Sequence, residues 1–239
     1  MRLAILMPSY NEGERLNATL QRLAAFALDH DLQLALFIVD DGGSHAVCAT
    51  RLPDDADHFW ITLLRHPLNL GQGAALETAR RIALSRGPFD AYVTMDSDGQ
   101  HAPEDLPQFC DAIAAGADVV FGNRFGGDSN VPGMRRLVLL CARMFERVLT
   151  GLSLADAHNG YRAFSQKGIM NISIAQSRMA HATEIKQHVA RACNTLKSAE
   201  VPVSISYSSD TLQKGQSSLG GLQILWDLFY GYVFGSNRR

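Results

Sequence analysis

At 239 residues, with 46% apolar and 19% charged content, the chain has the makings of one large α/β domain or two small ones around a real core. A formal net charge of −2 carries no nucleic-acid signature. The cysteines, Cys48, Cys110, Cys141 and Cys193, form no Cys-x-x-Cys pair; they read as small buried hydrophobes in a reduced compartment, which sets aside a metal role for them.

We expect no signal peptide, because Met1-Arg2 runs directly into a short strand, Leu3–Met7. Apolar residues at helical spacing predict a helix over Glu12–Leu28, with Asn11 as its N-cap. Leu34–Val39 is a second strand, running into Asp40-Asp41-Gly42-Gly43-Ser44, and Phe59–Leu64 a third. Gly73–Ser85 is an alanine-rich helix, and Ala91–Met95 a strand that ends in Asp96-Ser97-Asp98. Pro103 begins a helix to about Ala115, and Asp118–Phe121 is a further strand. This alternation predicts a mainly parallel sheet covered by helices on both faces.

The second half changes character. Met134–Leu149 is a long amphipathic helix bearing Arg135, Arg136, Arg143 and Arg147. Tyr161–Phe164 reads as a strand, Thr183–Cys193 as a helix, Glu200–Tyr207 as a strand and Ser208–Ser218 as a loop. The tail from Leu219 carries Trp226, Phe229, Tyr230, Tyr232 and Phe234 before Arg238-Arg239. Its polar residues and glycines exclude a membrane span, and leave a helix at a membrane interface or one packed on the domain or on a partner subunit. We expect one domain over 1–218, with a nucleotide half (1–123) and an acceptor half (124–218), followed by the tail helix 219–239.

Successive strands end in polar residues: Pro8-Ser9-Tyr10-Asn11-Glu12, then Asp40-Asp41, then Asp96 and Asp98. In a parallel sheet these ends share the edge where ligands bind. Tyr10 can stack on a base, and Asp40 can accept a hydrogen bond from a base N–H. Asp96 and Asp98 are hard oxygen donors suited to a ribose and to Mg²⁺ or Mn²⁺. A dinucleotide dehydrogenase is disfavoured, because Gly-x-Gly-x-x-Gly does not follow the first strand. A nucleotidyltransferase is disfavoured too, for want of a basic glycine-rich loop there. Among the histidines only His101 stands near the carboxylates; His45, His58 and His66 read as surface or turn residues.

Taken in order, six motifs resemble those of family 2 glycosyltransferases of GT-A fold, near the dolichol- or polyprenyl-phosphate mannosyl- and glucosyltransferase branch. They are Pro8-Ser9-Tyr10-Asn11-Glu12, Val39-Asp40-Asp41-Gly42, Asn69-Leu70-Gly71-Gln72-Gly73-Ala74-Ala75, the Asp96–Asp105 run, Gly122-Asn123-Arg124 and Asp156-x-x-Asn159-Gly160-Tyr161-Arg162. The resemblance implies that Pro8, Tyr10, Glu12 and Asp40 line the base and ribose pocket. It implies that Asp96, Asp98 and Gln100 serve the diphosphate and its Mg²⁺ or Mn²⁺. Asp156 would face the acceptor side of the reacting carbon. Arg124, with Arg135 or Arg136, would hold an acceptor phosphate, to which Arg162 adds cationic capacity, and Lys214 would close over the donor diphosphate. Two departures stand out: Gly42-Gly43-Ser44 loosens the family's Gly-Ser turn, and Gln72 replaces a frequent lysine.

The expected activity is inverting, metal-dependent transfer of a sugar from a nucleoside-diphosphate sugar to a polyprenyl phosphate, at the cytoplasmic face of the membrane. A glycan hydroxyl is the alternative acceptor, with Asp156 or Glu184 as base. A non-catalytic nucleotide-sugar-binding subunit is a more distant alternative.

Overall fold

Unbroken apolar runs such as Leu3–Met7 and Leu34–Val39 suit strands covered on both faces. They form the centre of a seven-stranded mixed sheet in a computed structural model that describes residues 1–48, 53, 57–124, 156, 159–177 and 180–205. The strands are β1 (Arg2–Ser9), β2 (Gln33–Asp40), β3 (Phe59–Arg65), β4 (Ala91–Thr94), β5 (Val119–Asn123), β6 (Arg162–Phe164) and β7 (Ser198–Pro202), in the spatial order β3-β2-β1-β4-β6-β5-β7. The helices are α1 (Glu14–Asp29), α2 (Gln72–Arg86), α3 (Leu106–Ala114), α4 (Gln166–Met170) and α5 (Ala180–Arg191), with a 3₁₀ turn at Pro103–Asp105 leading into α3.

Side chains alternate across the sheet with period two. Leu3, Ile5 and Met7 join one buried layer with Leu16, Leu20 and Leu23 of α1 and Phe109 of α3. Ala4 and Leu6 join the other, with Ala75, Ala79 and Ala83 of α2 and Ile185 and Val189 of α5. The alanines recur every four residues, so α2 presents a stripe without bulk to β1 and β2.

Strands β1, β2, β3 and β4 are mutually parallel, with Ser9 opposite Asp40 and Leu6 opposite Thr94. The chain steps outward from β1 to β2 and β3, then returns to the other side of β1 as β4. That reversal is a topological switch point, and it leaves a crevice beyond the strand ends. β6 is antiparallel to both β4 and β5. It therefore begins at the edge where β4 and β5 finish, and residues 159–161 arrive beside the end of β4.

Four expectations need correction. Asn11 does not cap α1: the N-cap is Gly13, at φ 55°, and Asn11 itself sits at φ 57° with Oδ1 accepting from the Ser44 hydroxyl at 3.1 Å. His66 is buried rather than superficial. Cys48 and Cys193 are exposed; of the described cysteines only Cys110 is a buried hydrophobe. The last strand spans Ser198–Pro202 rather than Glu200–Tyr207, followed by a single bridge from Ile205 to His101. The helix 134–149 with Arg135, Arg136, Arg143 and Arg147, the loop 208–218 with Lys214, the tail from 219, Cys141 and His158 lie outside the described residues. Among the described residues no helix is long and apolar enough to cross a membrane.

Asp118 ties the far side of the sheet together. Its carboxylate accepts from Ser165 Oγ, Lys167 Nζ and the Lys197 amide, and its carbonyl accepts from the Ser165 amide at 3.0 Å. A Cβ on Gly168 would fall well inside contact distance of that same carbonyl oxygen. Gly168→Ala is therefore expected to cost about 1–3 kcal/mol of stability through overpacking. Urea denaturation measures this, and an unchanged midpoint would contradict the tight packing of α4 on β5.

Candidate active site

The ends of β2, β1 and β4 are adjacent, and they open into a cleft of about 800 Å³, a size usual for small-molecule sites. Pro8, Tyr10, Glu12, Asp96 and Asp98 line it, as the sequence predicts, together with Ser9, Asp41, Gln72 and Ser97. Tyr10 is 48% exposed, an uncommon state for a large aromatic ring, and it stands in the cleft lining. Ser97, between the two aspartates, donates its hydroxyl to the Pro8 carbonyl at 2.8 Å, which fastens the carboxylate turn to the end of β1.

Asp96 is held on three sides. Gln72 Nε2 donates to its Oδ1 at 2.9 Å, and His101 Nε2 lies 3.7 Å from its Oδ2. Gly160 closes the third side, for a Cβ there would come within 2.8 Å of Oδ2. Asp98 accepts from the Gln100 amide at 3.0 Å and from Gln100 Nε2 at 2.7 Å. Gln100, expected beside the metal, thus stands as a brace on Asp98. Burial pushes both carboxyls above the ordinary carboxylate range. Arg162 and Arg124 pull Asp96 back down, whereas the charge of Asp96 pushes Asp98 further up.

The two aspartates ending β2 divide the work differently from expectation. Asp40 is absent from the cleft lining: its Oδ1 accepts from the Gly43 amide, and its Oδ2 from the Val47 amide and from Arg65 at 2.7 Å. It organises the turn that the extra glycine lengthens, and its oxygens are committed there. Asp41 reaches the cleft and at the same time builds the approach to α2. It accepts from His66 Nδ1 at 2.7 Å and from the Leu70 and Gly71 amides at 3.0 and 2.7 Å, while His66 Nε2 meets Thr78 Oγ1 at 3.0 Å.

On the other side of Asp96, Arg124 follows the end of β5 and Arg162 opens β6. Both are buried, and both lie near enough to Asp96 to act on its charge. Asp156 Oδ2 accepts from Arg124 Nε at 2.5 Å and from its amide at 3.2 Å. Glu184 is committed elsewhere: its carboxylate accepts from the Ala175 and Gln176 amides. His101 is buried, its ring stacked on Tyr161 at 4.8 Å. The Asp96 amide donates to its Nδ1 at 3.1 Å, so the proton of the neutral ring is assigned to Nε2. Burial lowers its pKa to about 4, helped by Arg124 and Arg162 and opposed by Asp98.

Among the described residues no three His, Cys, Asp or Glu side chains gather into a metal cage. The cleft instead holds two mutually repelling carboxylates. That donor set fits Mg²⁺ or Mn²⁺, which binds through one or two carboxylates and leaves its other positions to water and substrate phosphates.

The model of glycosyl transferase family 2 matches residues 4–172, which include every cleft residue named above. The chain belongs to this family. Among its relatives, undecaprenyl-phosphate mannosyltransferase of Micrococcus luteus is 35% identical over 170 residues, covering 69% of this chain and 66% of that protein. Polyprenol monophosphomannose synthase of Mycolicibacterium smegmatis is 33% identical over 180 residues, covering 73% and 65%. The chain thus spans just under two thirds of the length of both. Glucosyl-3-phosphoglycerate synthase from Mycobacterium tuberculosis, solved with Mn²⁺ and UDP-glucose, superposes with a TM-score of 0.61 at 16% identity, covering 94% of this chain and 76% of that one. That likeness establishes the GT-A fold.

Two outcomes follow from the site. Gly160→Ala drives a methyl group into Asp96, and is expected to weaken Mn²⁺ binding by roughly tenfold or more, as loss of ligand orientation does; electron paramagnetic resonance of free Mn²⁺ measures it, and unaltered affinity would contradict the clamp. His101 stays neutral from pH 8 to about 5, so its imidazole ¹⁵N shifts remain constant there, whereas a transition near 6.5 would contradict its burial. Because its folded pKa of about 4 lies below the unfolded value, its contribution to stability is present above pH 6.5 and is lost as pH falls towards 4.

Proposed function

We propose that the protein is an inverting glycosyltransferase that moves a sugar from a nucleoside-diphosphate sugar to a polyprenyl phosphate, using Mg²⁺ or Mn²⁺. One observation carries the reading: a repelling carboxylate pair faces the cleft, with two buried guanidinium groups beside it. The names of the two relatives, an undecaprenyl-phosphate mannosyltransferase and a polyprenol monophosphomannose synthase, support the acceptor.

Tyr10, Pro8 and Glu12 line the base and ribose side of the donor. Asp41 takes the lining position there, since Asp40 is committed to its turn. Asp96 and Asp98 hold the divalent ion, and Gln72 and Gln100 fix their carboxylates. The ion, when bound, neutralises charge developing on the departing β-phosphate. Arg124 and Arg162 attract the acceptor phosphate, with Asp156 aiming Arg124 through the 2.5 Å contact. Lys214 over the diphosphate, Arg135 and Arg136 at the acceptor, and the 219–239 tail on the inner membrane face complete the reading.

A phosphate acceptor is already anionic and needs cations rather than a strong base. A glycan hydroxyl would need a base, and the candidates for it are engaged: Asp156 by Arg124 and Glu184 by two backbone amides. This favours the lipid phosphate over the glycan.

Incubation with radiolabelled nucleotide sugars, Mn²⁺ and polyprenyl phosphate is expected to place label in an organic-extractable product released by mild acid. Asp98→Asn is expected to abolish the transfer while the protein stays folded. Label found only in soluble glycan, or undiminished transfer by the variant, would overturn the reading.

A further inference from the structure

Gln72 is the first residue of α2, and its side chain makes the 2.9 Å contact to Asp96 Oδ1. Its backbone is fixed from both directions. Ahead of it, Asp41 takes the amides of Leu70 and Gly71, and Asp41 is itself held by His66. Behind it, Gly73 is packed so closely that a Cβ there would collide with the Gln176 carbonyl and touch His181 Cβ. A side chain anchored on so constrained a backbone can hold its target in one place.

Its chemistry suits that target. Asp96 and Asp98 repel one another, and burial disfavours the charge of each. A neutral amide donor stabilises the carboxylate of Asp96 without cancelling the negative charge that attracts a divalent ion. A lysine at this place would form an ion pair with Asp96 and compete with the ion. With Gly160 against Oδ2 and Gln72 on Oδ1, the carboxylate has little freedom to turn.

We propose that Gln72 is a positioning residue that orients the Asp96 carboxylate for the divalent ion and so sets metal affinity in this chain. It links the start of α2 to the turn after β4 through one hydrogen bond, and acts through Asp96. The inference rests on the metal reading given under Proposed function.

The test uses the full chain with Mn²⁺, saturating UDP or GDP, and two variants, Gln72→Met and Gln72→Lys. Methionine keeps the length and removes the donor; lysine keeps a donor and adds a charge. Bound Mn²⁺ is read by electron paramagnetic resonance, and nucleotide affinity is read separately in EDTA. Both variants are expected to bind Mn²⁺ roughly 10- to 100-fold more weakly, the range for lost support of a metal ligand, with lysine the weaker of the two. Both variants are expected to stay folded without metal, with wild-type far-UV circular dichroism, and Gln72→Met is expected to keep its nucleotide affinity in EDTA, a split that general damage to the fold would not produce. Wild-type Mn²⁺ affinity in either folded variant overturns the role of Gln72. Absence of Mn²⁺ binding by the wild type overturns the metal reading instead. Should one variant fail to fold, the other carries the comparison.

Discussion

Two carboxylates one residue apart at the end of a buried strand lose part of their hydration, which shifts both carboxyls upwards, and the charge of Asp96 pushes Asp98 further up. Much of the surrounding structure offsets this cost. Gln72 and Gln100 each donate an amide hydrogen to one member of the pair, and Arg124 and Arg162 lend positive charge from behind. Ser97 fastens the turn to β1. None of these contacts cancels the pair's charge outright. What remains is a charge tension of the kind that gathers at functional sites, and one that a divalent cation would relieve.

Topology explains how groups so distant in sequence meet there. Parallel β2, β1 and β4 bring Asp41, Ser9 and Asp96 to one edge. The antiparallel insertion of β6 brings the beginning of a strand to that edge instead of an end, and with it Gly160 and Arg162. β5, antiparallel to β6, finishes at the same edge with Arg124 just beyond it. One flank of Asp96 is thus assembled from strand ends and the other from the junction of β5 and β6. Thr94 Oγ1, donating to the Gly160 carbonyl at 2.7 Å, joins the two halves.

The central strands were legible in the sequence because strands buried on both faces are unbroken apolar runs, as in Leu34–Val39, and α2 because its alanines repeat at helical spacing. The carboxylate pair and Tyr10 were legible because strand ends in a parallel sheet share an edge. Other features depend on tertiary contacts that no local pattern encodes. Three-residue β6 is too short to reveal its direction. Asp40 and Asp41 are chemically alike, and only the lengthened turn, with Arg65 above it, decides which of them is taken up. His66 looks like a turn histidine until Asp41 and Thr78 close on it from two other elements. The tight fit of Gly160 against Asp96 had no pattern of its own, although a glycine within a polar motif is a hint of close approach.

The proposed activity requires the Asp96–Asp98 pair to hold a nucleoside diphosphate through a divalent ion. Calorimetric titration of UDP and GDP into the protein, once with Mn²⁺ and once with EDTA, addresses that claim most directly. One of the two nucleotides is expected to bind at least about tenfold more tightly with Mn²⁺, a difference of about 1.4 kcal/mol. Equal affinity of both nucleotides with and without the ion would contradict it.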